Sequence, residues 1–502
     1  VNSPPLQLVI LLGKDSPGTF DAVPERVQRE GNDEATAIRK FRMAAYLWQA
    51  FTGEQMYRNG FGRRCFRFEE EWQTGSLTHR DWETGQMRNE AKVHLVRCKK
   101  TVKELRDLNR AQQNEKGTNR GDLFSIAMDA VRSHFSPLEG QKQYISVLLL
   151  DAHWDTKAKM ITGHAALGGG AGGIQLAIFG SQALQSYPSS IEEVVPAFSD
   201  CTRTNTDFVA NDCNESGSNW EAANVGIGAH LHETGHLFGC PHQESGIMLR
   251  DYVQLSRTFL CREPYSTRTR LPGLRLCLPK DECSWHRLDT LRFRYHPCFR
   301  LPTDPNLDHD DSIQVWPVGN GKVVVTAPSG IAFIELFAED DAACHAWMEY
   351  ASSDGGVFGG LPKQVVLVEN ELRARLPDNK KNVRLSLSIH SAGHGSYRVD
   401  DFRQLKSKSS IVKLPNGQPG FRGSKLGSST QEDSRPEQVI LASAFIQTKL
   451  LTSIKVFHGL AVDGVEFRYE DSSSQMFGKR GGTPHGSEFI FGKILGFVDW
   501  NA

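Results

Sequence analysis

Five residues in one short stretch have the types and spacing to hold a metal ion and to move a proton beside it. The run is His232-Glu233-Thr234-Gly235-His236-Leu237-Phe238-Gly239-Cys240-Pro241-His242, which reads H-E-x-x-H-x-x-G-x-x-H, and Met248 follows six residues later. Two histidines four apart on a helix project from one face, about one turn apart. Their imidazoles can meet a single zinc ion, with Glu233 placed to take a proton from a metal-bound water. Gly239 can end the helix and turn the chain back, so that His242 supplies a third ligand. Three protein ligands leave a fourth position open, the arrangement of a catalytic zinc rather than a closed structural one. With 17 His and 46 Gly in 502 residues, a chance match to all five fixed positions is expected in roughly one chain in ten thousand.

The motif needs a helix to carry it, and the sequence supplies one from Ser218 to Gly239. Ser218-Asn219-Trp220-Glu221 has the S-x-x-E form of a capping box. Val225, Ala229, His232 and His236 form one stripe at helical spacing. Gly226 and Gly228 cost ~1 kcal/mol each in helix propensity, which close packing against a sheet would explain. Cys240-Pro241 stops the helix. Upstream, Leu6–Gly13 and Tyr144–Asp151 read as buried strands, Cys65–Phe68 and Val93–Val96 as further strands, and Glu34–Gln55, Val102–Ala111 and Leu123–Phe135 as helices. The order predicts an open sheet with helices packed on it.

Gly168–Gly173 formally matches G-x-G-x-x-G. A dinucleotide fingerprint must follow a strand and open a helix, whereas here Ile174–Gly180 reads as a strand. The stretch is therefore read as a glycine loop leading into an edge strand. The free N–H and C=O groups of such an edge could pair with an extended substrate backbone.

Length suggests about three domains at ~150 residues each. Apolar content of 39% and charged content of 23% are ordinary for soluble globular protein. A net charge of −1 gives no reason to expect nucleic acid or an anionic membrane as partner. No apolar run approaches the ~18 residues of a membrane span. The first residue is Val1, which suggests a fragment or a processed form. Ten cysteines contain no C-x-x-C pair; free thiols are expected ahead of disulfides, because large domains do not need staples. Arg262–Cys298 reads as irregular structure closing the first domain, with His286 and His296 as ordinary histidines. Asp304–Asp311 resembles a calcium loop but has His309 at position six and Val315 at position twelve, so an acidic linker is expected. Short β-like runs between 312 and 405 read as a β-sandwich, 406–430 as a Ser/Gly/Pro/Lys-rich linker, and 431–502 as β again.

These residues carry two resemblances. His232–His242 with Met248 resembles the metzincin clan of zinc peptidases. More narrowly, RKFRMAAYLWQAFTGEQMYRNGFGRRCFRFEEEW (39–72), DAHWDTKAKMITGHAALGGG (151–170), AFSDCTRTNTDFVANDCNESG (197–217) and GIMLRDY (246–252) resemble a family of zinc metalloproteinases, mostly fungal. LLTSIKVFHGLAVDGVEFRYED (450–471), FGKRGG (477–482) and ILGF (494–497) resemble jacalin-type lectin domains. The expected fold class is then multidomain α+β. A metzincin-like zincin domain (a mixed sheet plus the HExxH helix) covers 1–302. A β-sandwich follows, then a C-terminally truncated, partial β-prism jacalin-like domain. The resemblance implies one catalytic zinc on His232, His236 and His242, Glu233 as general base, and Met248 as the Met-turn under the site. In some metzincins a Tyr two residues after the Met contacts the zinc; here that position is Arg250, with Tyr252 displaced by two. The residue after the third His is Gln243, where some relatives have Asp.

The expected function is zinc-dependent endopeptidase hydrolysis of a protein or peptide substrate, with glycans as further partners through the jacalin-like domain. No nucleic acid and no membrane span are expected, and the resemblance favours cytoplasm over secretion. The rivals are a catalytically silent zinc-containing carbohydrate-binding or scaffold protein, and a hydrolase of non-peptide amides.

Overall fold

Leu6–Leu12 is buried at all seven positions, as a central parallel strand covered on both faces must be. It pairs in parallel with Val93–Arg97 on one side and with Gln143–Leu149 on the other. Gln143–Leu149 pairs in parallel with Ile174–Gly180, and Leu167–Ala171 closes the row antiparallel as an edge strand. Alternate residues of the central strands serve two cores. Leu6, Leu8 and Ile10 pack with Phe41 and Trp48 of the long helix Glu34–Arg58 and with Ile227 and Leu231 of the motif helix. Val9, Leu11, Ile145 and Val147 pack instead with Leu123, Ala127 and Val131 of helix Asp122–Phe135.

The computed structural model describes residues 3–304, 311–319, 322–350, 360–407, 411–413, 419–421, 451–460, 462–482 and 487–490. The architecture is multidomain α/β with several sheets. It differs from the α+β expectation because parallel strands need crossover connections, and helices supply them. Cys65–Phe68 is not a strand; only Phe68 makes a bridge, to Leu6. The helix expected over Val102–Ala111 divides into Val102–Leu105 and a 3-10 turn at Leu108–Arg110. The larger correction concerns the glycines: Leu167–Ala171 is itself the edge strand, and the turn falls at Gly172 and Gly173, both at positive φ. All ten cysteines are free.

The chain forms two compact units. The first comprises Val1–Asp311 with Pro328–Pro362 and Ile389–Ser396, so the β region expected at 312–405 is divided between them. Strand Ile331–Ala338 pairs antiparallel with Ala346–Glu349 inside the first unit. Its Glu335, 2% exposed, accepts from Arg292 Nη2 at 2.6 Å and bonds His390 Nε2 at 2.8 Å. Burial alone would raise this carboxyl, but the Arg292 guanidinium and His390 outweigh it and hold it at about 2. Glu335→Leu leaves the guanidinium buried without its counter-charge. A loss of about 3 kcal/mol or more is expected in urea unfolding, and a loss under 1 kcal/mol would contradict it.

The second unit holds an antiparallel sheet of Gln314–Gly319, Lys322–Thr326 and Gln364–Val368. It also holds a four-stranded antiparallel sheet built from Leu451–His458, Val462–Tyr469, Ser474–Gly478 and Ser487–Ile490. Within the expected linker, Ile411–Lys413 pairs with Pro419–Phe421. The first two residues of that linker end the helix Phe402–Ser407; positions 408–410, 414–418 and 422–450 and the strand-like run at 493–498 lie outside the described residues, as do 305–310 of the expected acidic linker.

Candidate metal centre

The motif helix runs Asn219–Leu237, with Ser218 as its N-cap residue. The expected reciprocal capping box does not form. Ser218 Oγ donates to the Glu221 carboxylate at 2.7 Å, and Ser266, Thr267 and the Arg268 backbone N–H donate to that same carboxylate. Glu221 thus ties the 266–268 loop to the start of the helix rather than closing the helix on itself. Gly226 and Gly228 are explained by short 3-10 segments, not by the sheet. A Cβ on Gly226 would meet Tyr187 and Ala183, and one on Gly228 would lie 2.8 Å from Tyr252 Cβ. At the other end Gly239 adopts φ +87°, the left-handed turn that releases the chain toward His242.

Three imidazoles converge there. The ligand atoms of His232, His236 and His242 lie within 4.8 Å of one another. His232 Nδ1 is 2.7 Å from the Ile247 carbonyl, and His236 Nδ1 is 2.8 Å from the Cys240 carbonyl. A carbonyl can only accept, so each Nδ1 carries the proton and each Nε2 keeps its lone pair for a metal. Burial lowers both rings, His232 to about 4, which keeps them neutral near pH 7. Three imidazole nitrogen donors, two of them oriented by carbonyls, fit zinc.

Glu233 is 8% exposed, and burial pushes its carboxyl up to about 8. A divalent cation nearby would pull it down again. Met248 is fully buried beneath the helix: a Cβ on Gly235 would lie 2.5 Å from its Sδ and 3.1 Å from Trp285. Gly168 of the edge strand faces the helix, where an added Cβ would strike the Glu233 carbonyl oxygen and lie 2.5 Å from His236 Cβ. The edge strand therefore runs directly beside the motif.

A cleft of about 770 Å³ opens over His232, Glu233 and His242, walled in part by Gln112, Glu215, Arg250, Tyr252 and His345. Arg250, standing where some metzincins have tyrosine, bonds Glu215 at 2.8 and 3.0 Å. Tyr252 packs its ring edge-on to His232, with centroids 5.8 Å apart. His345 Nδ1 reaches Glu244 at 2.5 Å. Arg250 and Tyr252 are marked by their spacing from Met248, whereas Gln112, Glu215 and His345 come from separate stretches of chain that the motif does not signal.

Asp289, another residue the sequence did not flag, is fully buried on helix Arg287–Tyr295. Burial pushes its carboxyl up to about 7. The folded pKa thus lies above the unfolded value of about 3.9. Below pH 4 the group is protonated in both states; between pH 4 and 7 it ionises first in the unfolded chain, which favours unfolding. Asp289→Asn should therefore gain on the order of 1–3 kcal/mol over wild type at pH 8, and nothing near pH 4. Denaturant titrations at the two pH values, with zinc held constant, check this; equal gains at both would refute it.

Residues 1–332 match the family described as "Putative peptidase family", Metallopep. The Saccharomyces cerevisiae protein named "Putative zinc metalloproteinase YIL108W" is 43% identical over 494 residues, covering 93% of this chain and 68% of the relative. A Schizosaccharomyces pombe protein, "Putative zinc metalloproteinase C607.06c", is 39% identical over 508 residues, covering 99% of this chain and 75% of the relative. Among solved structures, catalytically inactive OgpA from Akkermansia muciniphila, in complex with an O-glycopeptide, aligns with a TM-score of 0.43 at 11% identity. That alignment covers 79% of this chain and 92% of OgpA. The class is that of a zinc metallopeptidase. The chain belongs to the Metallopep peptidase family.

Proposed function

We propose that this chain is an endopeptidase of protein or peptide substrates, with zinc held by His232, His236 and His242. The observation that carries the reading is the convergence of three imidazoles beside a buried Glu233 in one open cleft. Zinc at this site would polarise the scissile carbonyl and lower the pKa of a water from about 15.7 toward ~7. Glu233 accepts the proton of the attacking water and delivers it to the leaving amine. Met248 supports the helix from below. The free backbone groups of Leu167–Ala171 align an extended peptide alongside the motif helix.

The test is zinc content together with cleavage of a peptide library blocked at both termini. One zinc per chain and internal cleavage, abolished by a chelator and restored by zinc, is the expected result. Stoichiometric zinc with no cleavage of any blocked peptide would instead favour a silent binding protein. The four-stranded sheet of 451–490 fits a jacalin-like domain by its sequence runs, and binding on a glycan array tests that part separately.

A further inference from the structure

Of the three zinc-binding histidines in this reading, two are oriented by carbonyls and one is not. His232 and His236 each place Nδ1 on a backbone oxygen. His242 is exposed, and among the described residues no hydrogen-bond partner fixes its ring. Its position is therefore set by its backbone, and so by its neighbours. Pro241 before it has a fixed φ. Gln243 after it is 2% exposed and is pinned twice: its N–H donates to the Met248 carbonyl at 3.4 Å, and its Nε2 donates to Asp289 Oδ1 at 3.3 Å.

Asp289 is well placed to act as an anchor. It sits in the first turn of a nine-residue helix, and Arg292 of that helix is locked to Glu335. Asp289 thus holds the loop through Gln243, the residue next to His242. The grip has a cost: Gln243 Oε1 and Asp289 Oδ2 are buried without partners, an arrangement that disfavours folding by about 1–3 kcal/mol per atom. An apolar pair at these two positions would remove that cost. Their polarity is explained if it holds the third ligand.

We propose that Asp289, acting through Gln243, is the positioning residue for His242, the group that gives the third ligand the fixed geometry its own ring lacks. The inference rests on His242 being a zinc ligand.

The test measures zinc affinity by chelator competition and the visible d–d absorption of the cobalt(II)-substituted protein, which reports ligand geometry. Gln243→Met keeps volume and removes the amide; Asp289→Leu removes the anchor; Asp289→Asn keeps a polar acceptor at the same atom. Zinc affinity is expected to fall 10–100-fold in Gln243→Met and Asp289→Leu, with a changed cobalt spectrum, and to stay within about threefold of wild type in Asp289→Asn. If Asp289→Leu fails to fold, Gln243→Met decides. Unchanged affinity and a superimposable cobalt spectrum in Gln243→Met overturn the inference, even where thermal stability drops. His242→Ala separates the two layers: if it leaves zinc affinity unchanged, the ligand assignment itself fails.

Discussion

Glu233→Gln is expected to lower kcat by about a thousandfold, within the 10²–10⁴ range of a general base, and to leave zinc content at one per chain. The substitution keeps the volume of a side chain that is 8% exposed, so the helix has no packing reason to move. It removes the carboxylate proposed to take a proton from the attacking water. Burial by itself pushes that carboxyl up to about 8, and a bound cation would return it to the ionised form that a base requires. KM should change little, because the lost interaction belongs to the transition state. Stopped-time assays on a blocked peptide, with zinc measured on the same preparation, check this. A variant within tenfold of wild type would remove Glu233 from the mechanism while leaving the metal site standing.

Gly168→Val is expected to damage stability and activity together. The added Cβ would fall on the Glu233 carbonyl oxygen and within 2.5 Å of His236 Cβ. Both are parts of a buried helix, and neither can swing away as a flexible side chain could. The edge strand must then move off the helix, at a cost of about 3 kcal/mol by the usual scale of overpacking. Displacing it also removes the backbone edge proposed to align substrate, so kcat/KM should fall at least tenfold beyond what instability explains. Gly169→Ala is the control. Its Cβ would meet nothing nearer than Phe124 at 4.0 Å, and stability should stay within about 0.5 kcal/mol. If the two variants unfold at the same denaturant concentration, the close approach of strand and helix is not a constraint.

The comparison of Gly168 with Ile174 shows why part of this fold was readable and part was not. Ile174–Gly180 has the apolar, β-branched texture of a buried strand, and it is one. Leu167–Ala171 is a strand as well, yet its glycines have no side chains to signal it. Their reason is the helix passing above them, which belongs to another stretch of chain. Gly226 and Gly228 make the same point within the helix, since their partners Tyr187 and Tyr252 come from short 3-10 segments elsewhere in the chain. Ser218 marks the helix start as its type suggests, but Glu221 turns outward to the 266–268 loop, a choice that only the loop's arrival could make.

By itself the sequence determined the helix, its three histidines, the glutamate beside them, the turn at Gly239 and the buried central strands. All of these follow from local rules: a 3.6-residue period, short unbroken apolar runs, and the conformational freedom of glycine. Tertiary structure decided what surrounds the motif. Arg250 and Tyr252 in the cleft wall, Asp289 under Gln243, and Glu335 holding Arg292 all depend on contacts between residues far apart along the chain. Such contacts leave no periodic trace, because each is a single meeting of two elements whose packing is settled only when the whole core closes.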